Sequence, residues 1–307
     1  CAASVTSKGR EHLDNARQVV IDNFEGAKCV YGDTDSIFIQ FQFPMDMPER
    51  EKIAKSIELG TIGAKMVSNE LKHPMNLAYE KVMNRLVLIT KKRYVGNLYE
   101  DNPDDYERKS MGLVTKRRDN ARLTKNMYNG ILDVMLDGER SEITKNVITF
   151  FNTFMRNLLD RAFPIEDLVI SKALGAQYKN PNTIVQARLA QRLKERDPGN
   201  APRVNDRVQY VFVVKGTPKE QKGMLQGDRV EPPEYIVDNN TEIDVLSYIE
   251  HVKKPITQLL DLIVDDPSAL FEPYEIEETI KRYNFQPLKQ PRLTDEVLKE
   301  SLKRGLK

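Results

Sequence analysis

Apolar positions along this chain recur in two rhythms that alternate with each other. Val5, Leu13, Ala16, Val20 and Phe24 fall at roughly helical spacing, which predicts a helix over 4–24. Ala27, Cys29, Val30 and Tyr31, then Ile37, Phe38, Ile39 and Phe41, read as two strands about a reversal that Gly32 permits. After Pro44 and Pro48, Ile53, Ile57, Leu59, Ile62, Met66, Val67 and Leu71 give a second long helix, over 51–71, its apolar surface. Alternating runs at 86–89 and 94–99 predict two strands flanking a basic corner. Beyond Asp119 the rhythm turns helical. Met127, Ile131, Val134 and Met135 form one stripe, and Val147, Ile148, Phe151, Phe154, Leu158 and Leu159 form another within 143–163. Helices over 183–196 and 241–264 follow, the latter closed by Asp265, Asp266 and Pro267. Two extended segments, 207–214 and 234–237, lie between them, separated by a Gly- and Lys-rich loop.

This mixture predicts an α+β chain, an antiparallel sheet with packed helices followed by a mainly helical region with a small β element. At 307 residues the chain has length for one or two domains with a sizeable core. The boundary is placed near Asp119, giving 1–118 and 119–286, with 287–307 as a peripheral tail.

Charge alters the picture only through its distribution. The total is nearly balanced, 47 Lys plus Arg against 46 Asp plus Glu, where a nucleic-acid binder should show a basic footprint. Segregation supplies one: Lys116, Arg117, Arg118, Arg122 and Lys125 meet the single acid Asp119, while Asp101, Asp104, Asp105 and Glu107 form an acidic loop just before them. With only Cys1 and Cys29 and three histidines, a cysteine zinc site or disulfide framework is excluded and a reduced, intracellular setting is favoured. No apolar run approaches membrane-spanning length, so no membrane partner is expected.

Candidate chemistry centres on Tyr31-Gly32-Asp33-Thr34-Asp35-Ser36. Side chains at i and i+2 of an extended or turning backbone point the same way, so Asp33 and Asp35 could converge on one cation, and hard oxygen donors suit Mg²⁺ held together with substrate phosphates. Two aspartates in a hairpin are, taken alone, more often solvated turn residues. The second constellation is Lys91-Lys92-Arg93-Tyr94, which in isolation reads as a charged edge guarding a sheet. The third, Lys116-Arg117-Arg118-Asp119-Asn120, reads as phosphate positioning or as an exposed linker, with Asp119 fixing an arginine or capping the next helix.

In order, these segments resemble family B DNA polymerases. The Tyr-Gly-Asp-Thr-Asp-Ser hairpin, the Lys91 to Tyr94 corner after Tyr79-Glu80-Lys81-Val82 and the Lys116 to Asn120 cluster after Met111-Gly112-Leu113 carry the likeness. So do Asp206-Arg207-Val208-Gln209-Tyr210-Val211 and Tyr235-Ile236-Val237-Asp238-Asn239-Asn240, and the opening 2–10 resembles the helix between fingers and hairpin. There Arg10 is read as holding a helix end and Arg207 as structural. The spelling is closest to the polymerase delta type of eukaryotes and large DNA viruses, and the lack of a cysteine-rich module tilts the expectation toward a viral enzyme.

The resemblance implies a C-terminal palm over 1–118 and a thumb over 119–286. It implies a DNA-directed DNA polymerase that joins a dNTP to a primer 3′-hydroxyl with two Mg²⁺ ions, Asp35 the principal metal ligand and Asp33 the auxiliary. Lys91, Lys92, Arg93, Tyr94, Lys116, Arg117 and Arg118 are then primer-template DNA contacts. Primer-template DNA, dNTP and the remainder of a longer polymerase chain are the implied partners, in the nucleus or at a viral replication site. A further metal-binding aspartate and the nucleotide-holding helix are expected upstream, so these 307 residues alone are expected to be inactive. A sliding clamp is a weaker candidate partner: 18–24 is faintly like a clamp-binding peptide, but no second aromatic follows Phe24, and burial of one helical face is preferred. The alternative is a non-catalytic module that grips primer-template DNA.

Overall fold

The computed structural model describes residues 2–113, 118–216, 218–221 and 223–283. The expected contacts Lys116 and Arg117, and the 287–307 tail, lie outside the described residues. By its internal contacts the chain divides into two compact units, Cys1–Gly112 and Leu113–Lys307.

In the first unit, helix α1 (Ala2–Asn23) leads into a hairpin of β1 (Lys28–Asp33) and β2 (Ser36–Gln40), followed by helix α2 (Glu49–Glu70). Ala16, Val19 and Val20 of α1 meet Val67 of α2, with Phe24, Ile37, Ile39 and Phe41 packed against them. One apolar stripe per helix thus closes on one face of the hairpin, as the spacing predicts. Arg10 lies exposed within α1 and holds no helix end, contrary to expectation.

A second sheet holds β3 (Val82–Thr90), β4 (Arg93–Tyr99) and β5 (Glu107–Met111) as an antiparallel meander. β5 was not expected. Its residues, Glu107-Arg108-Lys109-Ser110-Met111, carry no apolar alternation, and it joins by backbone pairing to the edge of β4, where charge is tolerated. Ahead of it, Asp104 of the acidic loop accepts two hydrogen bonds from Arg50, at 2.5 and 2.6 Å.

The second unit opens with helices α3 (Arg122–Asp137) and α4 (Ile143–Leu159), whose buried stripes hold Leu123, Met127, Ile131, Val147, Phe151 and Leu158. Gly130 allows their close approach, since a Cβ there would run into the ring of Phe150. The N-cap of α3 is Ala121, which makes no side-chain cap. After the short α5 (Ile165–Leu168), a three-stranded antiparallel sheet assembles from β6 (Ile170–Ala173), β7 (Arg207–Phe212) and β8 (Val230–Glu231). Helix α6 (Val185–Arg196) lies between β6 and β7 in sequence, and the single turn α7 (Pro218–Gln221) precedes β8.

The expected extended segment at 234–237 is instead helical, within α8 (Pro233–Asn239). Pro232 is extended and Pro233 starts the helix, a position whose missing N–H costs nothing, while Asn240 closes it at φ +47°. Tyr235-Ile236-Val237 looks strand-forming, yet only Ile236 is buried, which one helical turn achieves. Helices α9 (Val245–Leu260) and α10 (Glu272–Tyr283) complete the unit, and Asp244 caps α9 by accepting from the Ser247 N–H at 3.2 Å.

Candidate active site

The two carboxylates lie at the β1–β2 reversal, but not in the way Gly32 suggested. Gly32 is paired in the strand with Ile37, and Asp33 pairs with Ser36, so Thr34 and Asp35 form the turn. Thr34 takes φ +54°, which a β-branched residue rarely adopts. The Asp33 carbonyl holds this turn by accepting from the Asp35 N–H at 2.6 Å and from Ser36 Oγ at 3.1 Å. A bulge between Cys29 and Tyr31 leaves Val30 unpaired and places Tyr31 opposite Phe38, their ring centroids 5.3 Å apart.

The basic corner is a hairpin of the same kind. Thr90 pairs with Arg93, leaving Lys91 and Lys92 as the turn, with Lys92 at φ +61°. Although the two hairpins belong to different sheets, their tips meet. The Lys92 N–H donates to the Tyr31 hydroxyl at 2.9 Å, and Lys92 Nζ lies 2.6 Å from Asp33 Oδ2, with Lys91 Nζ 4.0 Å from Oδ1. Tyr94 completes the junction edge-on, 6.0 Å from Tyr31 and 5.6 Å from Phe38.

The electrostatics follow. The hydrogen bond from Lys92 draws the Asp33 carboxyl below its ordinary range, and the same bond raises the Lys92 ammonium. Asp33 is largely shielded, its side chain 16% exposed, whereas Lys91 and Lys92 stay 70% and 60% exposed. Asp35 is exposed and forms no ion pair among the described residues. Arg93 Nε donates to the Gly112 carbonyl at 3.3 Å, so this cation is engaged within the unit. Arg118 belongs to the other unit and is exposed.

Asp33 and Asp35 are hard oxygen donors on one turn, which fits part of a Mg²⁺ ligand set. Among the described residues no three His, Cys, Asp or Glu form a group able to hold a metal ion. The sequence reading missed the tie between the hairpins, made by Tyr31 and Phe38. Its one visible signal is an aromatic on each strand flanking the carboxylates. Among the described residues no helix is long and apolar enough to cross a membrane.

The model of DNA polymerase family B matches residues 1–263. The chain is 40% identical over 264 residues to a DNA polymerase of Pyramimonas orientalis virus, covering 85% of this chain and 21% of that relative. It is 32% identical over 282 residues to the DNA polymerase delta catalytic subunit of Plasmodium falciparum, covering 88% of this chain and 24% of that relative. It thus spans about a fifth to a quarter of the length of these two curated relatives. A family B DNA polymerase from the hyperthermophilic archaeon Pyrobaculum calidifontis shares the fold with a TM-score of 0.57 at 22% identity, over 84% of this chain and 29% of that one.

Proposed function

The chain belongs to DNA polymerase family B, and from that premise we propose that it supplies the palm carboxylates and the thumb of a DNA-directed DNA polymerase. In this reading the junction between palm and thumb lies near Asp119, and the end of the first compact unit at Gly112 supports it. The observation that carries the reading is the meeting of the carboxylate turn with the Lys91–Lys92 turn through Tyr31 and Asp33. It sets an open carboxylate and two exposed cations side by side, as a site for metal-bound phosphates beside a nucleic-acid backbone requires.

In the proposed reaction the primer 3′-hydroxyl oxygen forms a bond to the α-phosphorus of a dNTP, and the bond to pyrophosphate breaks. Two divalent cations, when bound, stabilise charge on the attacking and leaving oxygens. Asp35, exposed and in no ion pair among the described residues, would be the principal ligand; Asp33, already engaged by Lys92, would be the auxiliary one. Lys91 and Lys92 hold backbone phosphate or minor-groove acceptors of primer-template DNA, while Tyr94, braced against Tyr31 and Phe38, keeps the corner in place. The higher identity to the viral polymerase than to the delta subunit supports a viral-type replicative enzyme acting inside a host cell.

Replacing Asp35 tests this. In the intact polymerase Asp35→Asn is expected to lower kcat at least ~10³-fold, roughly 4 kcal/mol of transition-state stabilisation, with duplex affinity retained. Near-normal primer extension by that variant would reject the assignment. A second reading, a module that grips primer-template DNA without chemistry, is favoured by the presence of only two carboxylates at the turn. Primer extension by the longer chain separates the two: the proposal expects synthesis from it and none from these 307 residues alone, the module reading none from either.

A further inference from the structure

Helix α10 is tied to the second unit by one side. The Tyr274 hydroxyl donates to Asn152 Oδ1 at 2.8 Å, the buried Glu278 pairs with Arg161 at 2.7 Å, and Arg282 pairs with Asp244 at 2.8 Å. On the flanks Glu275 meets Lys253 of α9 at 2.7 Å and Glu277 meets Arg156 of α4 at 2.6 Å. The outer side is different. Ile276 and Ile280 lie two residues on from Tyr274 and Glu278, about half a turn around the helix, and they are 48% and 36% exposed. One exposed isoleucine is ordinary, but two spaced by four residues stand one above the other and make an apolar stripe that a packing partner would remove from water.

Residues 284–307 follow α10 directly and lie outside the described residues. Their sequence carries the signals of one short helix over 295–304: Thr294 at the N-cap position, Asp295 and Glu296 in the first turn, Lys303 and Arg304 in the last, and Gly305 just beyond. Leu298 and Leu302 fall one turn apart with Val297 beside them, so this helix would have an apolar stripe of its own. A helix shorter than ~12–15 residues is marginal in water, so it needs something to pack on. We propose that 295–304 docks on the stripe of Ile276 and Ile280 in the same chain. Reach allows it: Pro287 and Pro291 mark 284–294 as a connector, and at ~3.3 Å per residue that connector far exceeds the roughly 8–10 Å between packed helix axes. Charge favours it. Residues 284–307 hold six Lys and Arg against three Asp and Glu, whereas α10 holds four Glu against Lys281 and Arg282. A tethered segment also meets the stripe at an effective concentration that a second copy or a separate partner lacks. The docking is independent of the polymerase reading.

Hydrogen exchange in the intact polymerase tests this. Amides of 297–304 are expected to exchange at least ~10-fold more slowly than in the free peptide of the same sequence, equally at high and low protein concentration, and Ile276→Ser with Ile280→Ser is expected to abolish that protection. Both isoleucines are exposed, so the double variant leaves the inner side of α10 intact. The stripe itself gives the reciprocal readout. With labelling of Cys1 and Cys29 subtracted, the thiol introduced by Ile280→Cys should react with a maleimide at least ~10-fold faster once Leu298→Ser and Leu302→Ser are added. Exchange of 297–304 at the free-peptide rate overturns the proposal, as does protection that survives the double isoleucine variant or a thiol whose reactivity ignores the leucine changes. Protection that grows with protein concentration overturns it too, because it would seat a second copy on the stripe.

Discussion

The two units bury their residues differently. In the first, Val67 alone among the described buried apolar residues reaches zero exposure, and strands β2 and β3 are mostly half-buried. In the second, Leu123, Met127, Phe151, Tyr210, Tyr248, Ile256 and Phe271 are all fully enclosed. Charge follows the same division. The cations nearest the carboxylate turn, Lys91 and Lys92, stay open to solvent, whereas in the second unit Arg192, Arg196 and Lys215 converge on Glu231, which has no exposure at all. Arg282 and Arg229 likewise close on the buried Asp244. The same residue types therefore stand open to solvent in one unit and are locked into the architecture of the other, and what separates them is where the opposing carboxylate lies.

The sharpest test of this contrast is at Phe151. Its ring meets Phe271 at 4.9 Å and Tyr274 at 6.0 Å, both nearly edge-on, at the junction of α4 with α10. Phe151→Ala is expected to cost about 3–5 kcal/mol in denaturant unfolding of the second unit, because the cavity has rigid walls. Val67→Ala, at the best-buried position of the first unit, removes two methyl groups and is expected to cost roughly 1.5–2 kcal/mol. If the two losses were equal, the difference in packing would have no energetic content.

Next in size is Glu231→Gln. The change leaves Arg196, Lys215 and Arg192 facing one another without their carboxylate, and about 3 kcal/mol is expected, since breaking a buried ion pair strands the remaining charge. Acidity gives a second readout. Burial alone would raise the Glu231 carboxyl, but the hydrogen bonds from Arg196 and Lys215 outweigh it and hold the group below its ordinary value. With the folded value lowered, this contribution is fully present above the ordinary carboxylate range, near ~4.3, and is lost as pH falls through the folded value. Acid unfolding of the wild-type second unit should therefore be steeper than that of Glu231→Gln. Matching acid limbs would show that Glu231 contributes nothing to the pH dependence.

Periodicity made the long helices legible, because each buries one continuous stripe. It failed where tertiary context decides. β5 opens on three charged residues, Glu107, Arg108 and Lys109, and β8 has two residues, so neither carries an apolar pattern, and both exist only through a neighbouring strand. Tyr235-Ile236-Val237 looked extended, but Pro233 and Asn240 bound a helix of about two turns. At the site, Asp33, Asp35, Lys91 and Lys92 were all visible as motifs. Their meeting was not, since Lys92 is 59 positions from Asp33 and its tie to Tyr31 uses a backbone N–H that no side-chain pattern reports. Helix α6 shows the opposite limit. Arg188, Arg192 and Arg196 look in sequence like a basic helical face, yet Arg188 pairs with Asp228, and Arg192 donates to the Gly227 and Val230 carbonyls.

The smallest expected effects are at the junction of the hairpins, and they decide whether that junction serves recognition or only shape. Tyr31→Phe keeps the ring against Phe38 and Tyr94 and removes only the hydroxyl that accepts from the Lys92 N–H. That N–H lies in an exposed turn where water can replace the lost partner, so the stability cost should stay near the lower end of ~0.5–1.5 kcal/mol. Lys92→Met removes the charge and the bond to Asp33 together. If Lys92 touches nucleic acid, Lys92→Met lowers the salt slope of primer-template binding by about 1, while Tyr31→Phe leaves the slope intact. A charged edge that merely protects the sheet predicts no change of slope in either variant, because the Lys92 ammonium would then be offset by Asp33 whether or not DNA is bound.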